Sequence, residues 1–131
     1  MKKTLLSLLA LTLLSTTVLA KPFLIQGKLP HLSGTVKMFW DDKDFALTDE
    51  QKTKLIEVRK YTMKNAKALG KQINKLEAEV VQESNNGAEP KLLKAKVSKL
   101  ASLRARATMI HLNCIYNTRK ILTEDQLYIL E

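Results

Sequence analysis

From Leu47 to about Ser84 the chain runs without proline and with one glycine, Gly70. Within it Leu55, Val58, Thr62, Ala66, Leu69, Ile73, Leu76 and Val80 follow one another in steps of three or four. That spacing draws one apolar seam along an α-helix. Lys60, Lys64, Lys67, Lys71 and Lys75 recur at the same period. At about 100° per residue they fall roughly opposite the seam. The stretch therefore predicts one long helix with an apolar edge and a basic edge, back to back.

The lysine row has two readings. Charged residues belong on the outer face of any surface helix. Alternatively, the row is a surface that attracts an acidic partner. Two details favour the second. No carboxylate interrupts the row, so it lacks the alternating-sign pattern of i,i+4 pairs. Ile56 and Met63 also flank it seven residues apart, with Val81 on the same side. The candidate binding residues are therefore Ile56, Lys60, Met63, Lys64, Lys67, Lys71 and Lys75.

The helix opens at Leu47-Thr48-Asp49-Glu50-Gln51. Thr48 fits an N-cap and Gln51, three residues on, can reach back to the cap's own N–H, a capping box. Asp49 and Glu50 place negative charge at the positive end of the helix dipole. The pattern returns at Leu122-Thr123-Glu124-Asp125-Gln126, where Leu122 and Leu127 occupy hydrophobic-staple positions. Between the motifs, Ser84 to Pro90 has loop composition, and Pro90 fits the first turn of a second helix. That helix runs from about Glu89 to Ile121 with a seam of Leu93, Val97, Leu100, Leu103, Ala107, Ile110 and Cys114. A second row, Ala101, Ala105, Met109, Leu112 and Tyr116, requires another partner: the arm, the last helix or a second subunit. Two helices of similar length, folded back on each other, bring the two motifs together at one end.

Residues 1–20 read as a secretory signal peptide, with Lys2 and Lys3 ahead of an apolar run and a cut after Ala20. The run is too short to span a bilayer comfortably, so no stable membrane insertion is expected. Removing Lys2 and Lys3 lowers the net charge from +9 to +7. A basic exported chain meets anionic membrane or acidic polypeptide; export argues against nucleic acid. Residues 21–46, punctuated by Pro22, Gly27, Pro30 and Gly34, read as an arm with a short helix. Phe39, Trp40 and Phe45 either cap one end of the helical body or form an exposed patch. Residues 47–131 form the main helical domain.

Cys114 is the single cysteine, so there is no internal disulfide framework. It is either a buried thiol on the seam or a link between copies. His111 and Cys114, with Met109 nearby, offer soft ligands, but two ligands do not make a site and His31 is the one other histidine. A partly buried histidine beside the seam is the plainer reading, zinc or copper binding is the minor alternative, and no cofactor is expected. No nucleophile, base and orienting acid occur together, and no glycine-rich phosphate loop is present, so an enzyme is not expected.

Taken together, the signal segment, Met38-Phe39-Trp40, the two Leu-Thr-x-x-Gln motifs and the long basic helices between them resemble the Spy/CpxP family of LTXXQ-motif periplasmic proteins. The resemblance implies an all-α helical hairpin with short flanking helices, paired as a cradle-shaped antiparallel homodimer in the periplasm of a Gram-negative bacterium. It also implies ATP-independent chaperone activity toward unfolded or misfolded clients. Some relatives instead restrain a sensor kinase through its periplasmic domain, and others bind zinc. This chain departs from the pattern in lacking histidine-rich ends, in reaching only five residues beyond Gln126, and in carrying Cys114.

Overall fold

The computed structural model describes residues 22–131; the segment read as a signal peptide lies outside the described residues. Four helices follow in order: α1 (Leu32–Met38), α2 (Asp49–Asn85), α3 (Pro90–Ile121) and α4 (Glu124–Leu130). No strand occurs among the described residues, and the all-α expectation holds. At 1.5 Å per residue, the 37 residues of α2 and the 32 of α3 are rods of roughly 55 and 48 Å.

The seam of α2 is where the burial is. Leu55, Leu69 and Ile73 are buried and the intervening seam positions are half-buried. On α3, Leu93, Leu103, Ala107 and Cys114 are buried. Leu69, Ile73, Leu103 and Ala107 form one core cluster, flanked by Leu76, Leu100 and Ile110. Ion pairs join the same two helices: Glu77 with Arg104, and Glu83 and Glu79 with Lys96. The partners advance along α2 as they retreat along α3. Gln51, near the start of α2, completes the order by bonding the carbonyl of Ile121 at the end of α3.

One seam position on α3 differs from expectation. Val97 sits at a seam position but is 50% exposed. The second apolar row finds little cover: Ala101, Met109 and Tyr116 are exposed, and only Ala105 and Leu112 are half-buried. The arm packs instead on Thr108 and His111, one helical step away.

The reversal after α2 has a local cause. Gly87 adopts φ +84°, its N–H bonds the Ser84 carbonyl and the Ala88 N–H bonds the Glu83 carbonyl. This is a Schellman closure, which needs a residue tolerant of the left-handed region and so favours glycine. Pro90 then occupies the first turn of α3, where a missing N–H costs nothing.

A second core cluster closes the other end. Val36 of α1, Phe45, Leu55 of α2 and Leu122 are buried together, with Phe39, Trp40, Leu47, Leu127 and Leu130 packed around them. The aromatic residues thus cap the helical body. Gly34, read as a helix interrupter, lies inside α1. A Cβ there would lie 3.7 Å from the Arg59 guanidinium, an ordinary contact distance. Asp42 organises the turn into α2 by accepting from the N–H groups of Asp44 and Phe45. Ala46 follows at φ +48°, a strained setting for a side-chain-bearing residue.

Candidate functional site

Both Leu-Thr-x-x-Gln motifs form complete capping boxes. The Thr48 hydroxyl accepts from the Gln51 N–H at 3.1 Å, and the Gln51 Oε1 accepts from the Thr48 N–H at 3.0 Å. Thr123 and Gln126 repeat this at 3.2 and 3.0 Å. The two glutamines then bond each other. Gln51 Nε2 donates to Gln126 Oε1 at 2.8 Å and Gln126 Nε2 donates to Gln51 Oε1 at 3.2 Å. Their remaining donor capacity goes to the carbonyls of Ile121 and Phe45, both at 2.9 Å. Each amide therefore fills two donor and two acceptor positions. Leu47 and Leu122 pack into the adjoining cluster. The motif residues make a structural clasp that sets the ends of α2 and α4.

The candidate binding residues lie on exposed α2. Lys60, Lys64, Lys67, Lys71 and Lys75 are exposed, and none makes an ion pair among the described residues. No carboxylate occurs in α2 between Glu57 and Glu77. The acids beyond that point, Glu77, Glu79 and Glu83, turn to α3. There Glu83 and then Glu79 hydrogen-bond Lys96 and hold its pKa above the ordinary lysine value. Ile56, Met63 and Val81 are 55%, 56% and 57% exposed. The middle of α2 thus presents uncompensated positive charge beside bare apolar side chains.

A groove of about 680 Å³ opens where the arm, α2 and α3 meet. Phe23, Leu32 and Ser33 come from the arm and α1, Thr62, Met63, Ala66 and Gly70 from α2, and His111, Cys114 and Ile115 from α3. Met63, Lys67 and Lys71 of the predicted set line it; Ile56 lines a neighbouring groove of about 460 Å³ with Trp40 and Leu55. Arg59 and Ser33 border both. Lys60, Lys64 and Lys75 border neither of the two.

The arm is stitched to α3. The Leu24 N–H donates to the Thr108 hydroxyl at 2.8 Å, and His111 Nε2 lies 3.2 Å from the Pro30 carbonyl. A carbonyl only accepts, so Nε2 carries the proton and Nδ1 keeps its lone pair. That Nδ1 is buried with no hydrogen-bond partner. His31 stacks on His111 at 4.9 Å and Phe23 tilts against it at 4.8 Å. Burial holds the His111 pKa below the ordinary imidazole value, with His31 adding to the shift and the Pro30 carbonyl opposing it. Cys114 is buried, its Sγ 3.5 Å from the Ser33 hydroxyl. Among the described residues no group of three or more His, Cys, Asp or Glu side chains could hold a metal ion. Met109, read as a neighbour of His111, is 55% exposed while His111 is buried.

Sequence reasoning missed the arm's share of the groove, Phe23, Leu32 and the bordering Arg59. One signal was available: Thr62, Ala66 and Gly70 recur every four residues, a small-residue track beside which a second segment can leave space. Among the described residues, no helix is long and apolar enough to cross a membrane. No protein-family model, no curated protein and no solved structure matches this chain.

Proposed function

We propose that this chain is an ATP-independent chaperone that holds unfolded or misfolded envelope proteins in the periplasm, built as a helical hairpin that pairs into a homodimer. The observation that carries the reading is the lysine row of α2, exposed and without carboxylate partners, next to exposed Ile56 and Met63. Capture would begin electrostatically, within a Debye length of about 8–10 Å in ordinary salt. Apolar contact would follow, each client side chain that becomes fully buried contributing about 1.5–3 kcal/mol. Release as the client folds and hides its apolar groups requires no nucleotide. The resemblance to the Spy/CpxP family supports the same reading.

The test is suppression of aggregation of a chemically denatured client. Protection should weaken as salt rises. Replacing Lys60, Lys64, Lys67 and Lys71 with Gln should reduce it several-fold with the helical circular-dichroism signal intact. Full protection by that variant would reduce the row to a solvated face. Pull-down of one folded, acidic sensor domain in place of many unfolded chains would favour a regulatory role for the same surface.

A further inference from the structure

The geometry points to the groove beneath the arm as a binding site for a single-chain anionic amphiphile, an alkyl chain ending in a carboxylate or phosphate. This inference does not depend on chaperone activity. The surface that lines the groove is mainly apolar. Phe23, Leu32, Met63, Ala66 and Ile115 are among its lining residues, and its volume of about 680 Å³ falls in the usual range of small-molecule pockets, roughly 300–1,000 Å³. Its charge is all of one sign. Arg59, Lys67 and Lys71 are among its lining residues, and no aspartate or glutamate is. None of these three cations makes an ion pair among the described residues. Arg59 is half-buried at the junction with the second groove. A planar guanidinium there can donate two parallel hydrogen bonds to two oxygens of one head group. Apolar walls with an uncompensated cationic border fit a ligand of the opposite design: apolar along its length and negative at one end.

The groove also has a means of being closed by mutation. Gly70 sits in mid-helix, and a side chain there points toward Pro22, 4.0 Å from its ring. Gly70→Leu fills the groove while raising helix propensity, and it leaves every lysine in place.

The purified protein is titrated with cis-parinaric acid, and the fluorescent probe is displaced by palmitate, hexadecyl phosphate, hexadecanol and hexadecyltrimethylammonium, all below their micelle thresholds. Palmitate or hexadecyl phosphate should displace it, and the tighter of the two identifies the head group. The neutral alcohol should bind about tenfold more weakly or worse, as expected for loss of a charge-assisted pair, and the cation not at all. Gly70→Leu should abolish probe binding while client protection persists, and Arg59→Gln should weaken palmitate about tenfold. Equal displacement by all four amphiphiles overturns the assignment, as does unchanged binding by folded Gly70→Leu. Loss of the site on self-association at high protein concentration gives the groove to a second copy and also overturns it.

Discussion

Gln126 has four hydrogen-bonding positions and uses all of them while 94% buried from solvent, its relative exposure being 6%. A buried amide in this state stabilises chiefly because nothing else could replace its bonds. Gln126→Ala would strand the Phe45 carbonyl and the Thr123 N–H, so a loss of about 2–3 kcal/mol is expected in urea unfolding. Because Gln51 is its direct partner, the double variant with Gln51→Ala should cost less than the two single losses combined, by about 0.5–3 kcal/mol. Strict additivity would show that the clasp does not act as a unit. Thr118 offers the opposite case. Its hydroxyl is buried with no partner. Thr118→Val keeps the shape and removes the desolvated group, and stability should rise by roughly 1 kcal/mol. A drop in the melting midpoint would mean that the hydroxyl has a role.

At the scale of elements, the arm and α3 form a joint that titrates. His111 is buried as the neutral ring, so the native state holds fewer protons than the unfolded chain. Stability from this site is complete above the ordinary histidine pKa, near 6.5, and falls as the pH drops below it. The urea midpoint should therefore decline from pH 7.5 to 5.5, a window in which ordinary carboxylates remain ionised. His111→Phe should flatten that decline. Equal slopes in the two proteins would locate the pH dependence elsewhere. The elements differ in how readable they are from sequence. α2 is legible because its seam repeats over many turns, and the caps are legible because Thr and Gln stand three apart. The mutual bond of Gln51 and Gln126 is not, since it spans 75 residues and depends on where α3 returns the chain. The arm is hidden for a related reason: its proline- and glycine-punctuated sequence has no period, and its anchors lie 81 to 84 residues away.

At the scale of the whole molecule, charge is segregated lengthwise. α3 carries no carboxylate from Pro90 to Ile121, and among the described residues the acids of late α2 pair with its Lys96 and Arg104. Exposed Met109 and Tyr116 on α3, with Tyr128 and Ile129 on α4, leave apolar surface that the described chain does not cover. The proposed homodimer gives that surface a use, and light scattering should report twice the single-chain mass at micromolar concentration. A monomer across the accessible range would remove the dimer from the proposal. The Gly87 reversal has a practical reach of its own. It lies at the far end of α2, roughly 50 Å from the glutamine clasp at 1.5 Å per residue. Asn86, Gly87 and Glu89 are exposed and belong to neither core cluster. A dye or an inserted epitope at this tip would ride on the rods without touching the lysines or the groove, an unobtrusive handle for watching the protein at work.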